Sequence, residues 1–131
     1  MAEWIRDANC FISRFSVAPD RREEFVAALE ELCEHAASWY ERGCNFAFHG
    51  WARDPNQWVA IASWRSEELL DEMRQTPWFI DTQRRMLECC DGAMVMEQIA
   101  GMDHDRSVFE RHPAGSSQVH TKTTTLDVVF V

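Results

Sequence analysis

Between Cys10 and Val17 the chain alternates, with Phe11, Ser13 and Phe15 on one side and Ile12, Arg14 and Ser16 on the other. A period of two closed by Pro19-Asp20 predicts a first strand. Beyond it Phe25, Leu29, Leu32, Ala36 and Trp39 recur every three or four positions, the spacing of one helix face. Asp20 with Glu23 three residues later has the form of a capping box. Gly43 stands where a left-handed C-terminal residue is expected. A long helix therefore runs from about Asp20 to Gly43.

Asn45 to Arg53 and Gln57 to Trp64 are aromatic-rich, β-prone segments on either side of Asp54-Pro55-Asn56, and they predict a hairpin. Ser66 is placed to cap a short helix that starts with Glu67 and Glu68 and carries Leu69, Leu70 and Met73. Thr76 before Pro77 is a second start signal, with proline at the first helical position, for a helix from Trp78 to about Cys90. Asp91-Gly92 then turns the chain into a fourth strand, Ala93 to Ala100.

The order strand, long helix, strand, strand, paired helices, strand is a split β-α-β arrangement of the ferredoxin-like kind. The fold class expected is α+β, a four-stranded antiparallel sheet with helices on one face. Its other face exposes apolar side chains, and a second copy of the chain is the simplest cover. Residues 1–102 make the domain. Residues 103–131 form a C-terminal extension that changes character, through His112-Pro113 and Ala114-Gly115-Ser116-Ser117 to a β-branched end from Thr121 to Val131. That end is either a strand added to a sheet edge, swapped onto a neighbour included, or a flexible tail.

With 131 residues one core is expected. The formal charge of −9 repels phosphate backbones, and the basic residues form no stripe, so nucleic acid is not an expected partner. No apolar run approaches the roughly 20 residues of a membrane span. The first residues carry charges of both signs and no secretory pattern, which makes the cytoplasm the default location. The five cysteines lack C-x-x-C spacing and read as buried thiols. No glycine-rich phosphate loop and no carboxylate-histidine cluster with metal spacing is visible, so neither cofactor nor metal is expected.

The Pro-Asp turn after strand one, Glu23-Glu24-Phe25 in the long helix, the Asp54-Pro55 hairpin, Trp64-Arg65-Ser66 and Thr76-Pro77-Trp78-Phe79 together resemble the antibiotic-biosynthesis-monooxygenase family over about residues 9 to 100. The resemblance implies a dimeric α+β barrel with a pocket between sheet and helices in each subunit. It also implies, as the leading function, a cofactor-independent monooxygenase acting on an aromatic, polycyclic or quinol-like small molecule. The alternative is a non-catalytic homodimer that binds a small apolar or aromatic ligand. Trp64 matches the tryptophan that contacts substrate in anthrone-oxidising relatives. Their asparagine four residues earlier is replaced by Ala60, and their last-helix arginine falls on Gln83 or Arg84. Haem degradation is disfavoured, because the iron-ligating histidine of haem-degrading relatives aligns with Thr82 and their first-strand asparagine falls near Ser13.

Chemistry of this kind needs a substrate that becomes an electron-rich anion in a dry site, with a proton acceptor and something to steady the charge. Trp64, His49 and Arg84 are the candidates for that work. His49 follows Phe48 on strand two and shares the alternation of Ala47 and Trp51. Ser13, Trp51, Met73, Trp78 and Phe79 are the candidate substrate-binding residues, with core packing as the competing role for each aromatic.

Overall fold

The computed structural model of the protein describes residues 4–103 and the backbone of residues 128–130. Its elements follow the expected order: β1 (Asn9–Ser16), α1 (Arg22–Gly43), β2 (Cys44–Trp51), β3 (Gln57–Trp64), α2 (Glu67–Arg74), α3 (Pro77–Glu88) and β4 (Met94–Ile99). β2, β3, β1 and β4 lie side by side in that order, all antiparallel. This is the ferredoxin-like α+β sheet, with the helices on one face. A short fifth strand, β5 (Val128–Phe130), runs parallel to β4 at the sheet edge, Val129 opposite Val95. The end of the extension thus borders the sheet of its own chain, and residues 104–127 lie outside the described residues.

Local chemistry explains most boundaries. Asp54 makes the hairpin turn by accepting from the Asn56 amide through its side chain at 3.0 Å. Ser66 accepts from the Leu69 amide at 3.1 Å and Thr76 from the Phe79 amide at 3.3 Å, so both short helices are capped as their sequences ask. Two expectations are corrected. Asp20 caps no helix: Pro19–Arg21 forms a turn of 3-10 helix, and α1 begins at Arg22 with no side-chain cap. Gly43 takes no left-handed conformation. A Cβ there would stand 2.5 Å from Leu69 Cδ2, so the end of that side chain would have to shift, and 3.6 Å from the Trp64 ring.

One core fills the space between sheet and helices. Phe25 of α1 is fully buried, its ring 5.5 Å from that of Phe15 and 5.8 Å from that of Trp58, both edge-on. Each such side chain contributes roughly 1.5–3 kcal/mol by leaving water. Among the described residues nothing covers the opposite face of the sheet. Phe46 and Phe48 are 44% and 68% exposed, and Phe48, Ile61 and Ile12 are successive cross-strand neighbours on it. Among the described residues no helix is long and apolar enough to cross a membrane.

Candidate functional site

The inward face of β3 reads Trp58, Ala60, Ala62, Trp64. Two tryptophans stand six residues apart, roughly 20 Å along the strand. The methyl groups between them cannot fill the gap. A chamber of about 110 Å³ results, floored by the sheet and roofed by the helices. Across its floor runs one cross-strand row: His49 pairs with Ala60, Ala60 with Ser13, and Ser13 with Met96. Neighbouring strands lie about 4.8 Å apart, so His49 and Ser13 face each other over Ala60 across roughly 10 Å, enough for one ring.

The roof comes from all three helices. α1 supplies Leu29, Leu32 and Tyr40; α2 supplies Leu70, Met73 and Arg74; α3 supplies Phe79, Gln83 and Met86. Tyr40 packs beside Trp64 with ring centres 5.5 Å apart, and burial pushes its hydroxyl far above the usual range, so it stays a neutral donor. Burial also lowers the His49 pKa from its ordinary 6.5, which keeps the imidazole neutral at pH 7 and able to accept a proton.

Five of the eight candidate residues therefore meet at one chamber: Trp64, His49, Ser13, Met73 and Phe79. Three stand elsewhere. Trp51 is paired with Trp58 at 4.9 Å and carries the Arg22 guanidinium 4.1 Å above its ring, behind the tryptophan that forms the chamber wall. Trp78 stacks on His35 of α1, with ring centres 5.2 Å apart. Arg84 lies on the outside of α3, its side chain 44% exposed and its guanidinium bound to Asp81 and Glu88, each at 2.7 Å. Its one-residue neighbour Gln83 is the side chain that reaches the lining. Exposed ion pairs contribute little, so Arg84→Ala is expected to leave the melting temperature unchanged and ligand affinity within about twofold. A titration and a thermal scan check it.

The sequence reading missed Arg74 and Tyr40, and left Gln83 open as the alternative to Arg84. Arg74 is the consequential one, a guanidinium whose side chain is 8% exposed and whose central carbon sits 5.2 Å from the centre of the Phe11 ring. Arg74 stands four residues after Leu70 and so on the same inward stripe.

Residues 10–85 match the family described as antibiotic biosynthesis monooxygenase, which is more than half of the chain. The chain belongs to this family. An uncharacterized protein of Synechocystis, sll1783, is 34% identical over 64 residues, 48% of this chain and 42% of that protein, so the matched stretch spans less than half of that relative. A conserved protein from Methanosarcina mazei Go1 has the same fold, with a TM-score of 0.67 at 20% identity over 73% of this chain and 94% of its own. Rv0793 from Mycobacterium tuberculosis superposes with a TM-score of 0.65 at 24% identity over 74% and 97%. In this chain Trp64 and Ala60 both face the chamber, Ala60 opposite Ser13 and His49.

Proposed function

We propose that this chain is a cofactor-independent monooxygenase that oxidises a single-ring phenol or quinol. The observation that carries the reading is the apolar chamber with a neutral imidazole on its floor. Its volume of about 110 Å³ selects among the aromatic substrates the fold family admits, since drug-sized ligands occupy pockets of roughly 300–1,000 Å³. A single ring fits this scale and a polycycle does not.

In the reaction His49 accepts the hydroxyl proton, and the ionised ring donates electrons to O2. One oxygen atom ends on a ring carbon that bore hydrogen, and the other leaves as water with the hydroxyl proton and that ring hydrogen. For a phenol the product is the quinone, and four electrons have passed from ring to oxygen. Trp64 and Phe79 wall the ring in, Ser13 offers a hydroxyl beneath it, and Met73 fits the roof to its outline. His49→Gln is expected to lower the oxygen-consumption rate at least about a hundredfold. Because the neutral imidazole is the active form, the wild-type rate should rise with pH through a midpoint below 6.5 and then level off. An oxygen electrode reads both, and a flat profile with an unaffected variant would remove His49 from the reaction.

A second reading, a non-catalytic ligand-binding homodimer, is favoured by the small chamber and by Ala60. Phenol binding without oxygen uptake would decide for it. In either case we propose that a second copy covers the uncovered sheet face, where Phe46, Phe48, Ile61 and Ile12 form the apolar patch. Residues 103–131 then act as an extension of a domain ending near 102.

A further inference from the structure

An arginine inside an apolar chamber is costly unless something uses it. Arg74 shares the lining with leucines, methionines and aromatic rings, and its neighbour Asp71 stands 3.9 Å away, beyond hydrogen-bonding distance. The guanidinium rests over Phe11, the floor residue next to Ser13 on the same face of β1. It is therefore a fork of donors held dry at the edge of a space the size of one ring.

We propose that Arg74 is the oxyanion-recognition group of the chamber, and that the ligand admitted is a single-ring phenol bound as its phenolate, the ionised oxygen against the guanidinium. This rests on reading the chamber as a ligand site, and the test below separates it from the oxygenase reaction.

The acid-base balance supports it. A phenol with an ordinary pKa near 10 gives up its proton to an imidazole lowered below 6.5 only against a gap of more than about 3.5 units. A cation in contact with the phenol oxygen lowers its pKa by about 1–3 units, which narrows that gap. Arg74 is still protonated at neutral pH, because burial lowers its pKa to about 10 and Asp71 and Glu67 hold it from falling further. The titratable groups around it are Asp71 and Glu67 on its own helix, His49 on the floor and Tyr40 on α1. Asp71 and Glu67 favour the charged form of the guanidinium, Asp71 from 3.9 Å, and burial keeps Tyr40 and His49 neutral. Neither carboxylate is among the residues that line the chamber, so the side of the guanidinium that faces it is open to the phenolate.

The probe is 4-nitrophenol, whose phenolate is coloured, titrated with pH in the presence of excess full-length protein and compared with 4-nitroanisole, which cannot ionise, and with benzoate. The expected result is a pKa for bound 4-nitrophenol at least about one unit below its value in buffer. In Arg74→Met the shift should vanish and phenolate affinity fall by about ten- to a hundredfold, with 4-nitroanisole affinity unchanged within about threefold. Arg74→Lys should keep part of the shift. A bound pKa equal to that in buffer, no binding by the wild type, or the same shift in Arg74→Met would each overturn the inference. Benzoate binding tighter than 4-nitrophenol would overturn the phenolate assignment in favour of a carboxylate. Oxygen uptake is measured separately: an Arg74-dependent shift with no uptake removes the oxygenase reaction alone, and uptake with no shift removes the Arg74 assignment alone.

Discussion

Arg74→Met is expected to raise the stability of the protein by about 1–3 kcal/mol while it removes phenolate binding. Lowering a guanidinium from its ordinary strongly basic range to about 10 by burial corresponds to roughly 3 kcal/mol of disfavour for the charged form in the folded state. The sign follows from proton linkage. Below pH 10 folded and unfolded chains are both protonated and the whole cost is felt; it is relieved only as pH rises above about 10, where the unfolded chain binds the proton more tightly. Methionine keeps the length and the helix propensity, fills the same apolar surroundings and carries no charge. Asp71 loses its partner at little expense, since its side chain is 30% exposed and retains water, whereas the buried Oε2 of Glu67 loses a balancing cation, which offsets part of the gain. For a chain of this size the gain amounts to about 4–10 °C in a thermal scan at neutral pH. A lower melting temperature would mean that the guanidinium ties α2 to the sheet through contacts worth more than its desolvation, and Arg74 would then be a structural residue.

A stability cost of this kind is what a ligand-recognition group carries when its partner is absent. It also explains why the sequence concealed it. An arginine in the last turn of a short helix reads as a surface cation that complements the helix end. The inward stripe of α2 is legible at Leu70 and Met73, and the step of four from Leu70 reaches Arg74, but polarity argues against counting it as inward. Tertiary packing overrides that prior, because the last turn of α2 sets Arg74 over the Phe11 ring and leaves its side chain only 8% exposed.

The same local logic made most of the fold legible. Alternation in β1 and β3, the caps at Ser66 and Thr76 and the Asp54 turn are each decided within a few residues, and the element order then leaves little choice of topology. The choice between Gln83 and Arg84 was open because adjacent helix residues point about 100° apart and a single gap moves the alignment by one. Phe79, Gln83 and Met86 at spacings of four and three form the inward stripe. Alternation did place Trp51 on the inward face with His49. It could not show that Trp58 stands opposite and separates Trp51 from the chamber, since that depends on hairpin register. Trp78 is lost to the site for a similar reason, as its stacking partner His35 is 43 residues away in sequence. Asp20 failed as a cap because Pro19 tightens the chain into a 3-10 turn before the α-helix begins.

The pattern Trp-x-Ala-x-Ala-x-Trp in β3 is the sequence signature of the chamber itself, and it leads to the largest functional effect expected of any single change. Ala60→Leu places a branched side chain on the floor between His49 and Ser13, the position every ligand must cover. The added carbons enter existing empty space, so overpacking is avoided and the burial gained offsets lost side-chain freedom. The melting temperature is expected to hold or to rise by a few degrees, about 1 kcal/mol. Binding of 4-nitrophenol, 4-nitroanisole and benzoate alike should be lost, and oxygen uptake with it, because the variant removes the volume and leaves the chemistry of the walls untouched. Arg74→Met in contrast spares the uncharged probe. Unaltered binding in Ala60→Leu, measured by titration of all three probes, would place the ligand somewhere other than above the His49–Ala60–Ser13 row and remove the geometric basis for His49 as the proton acceptor.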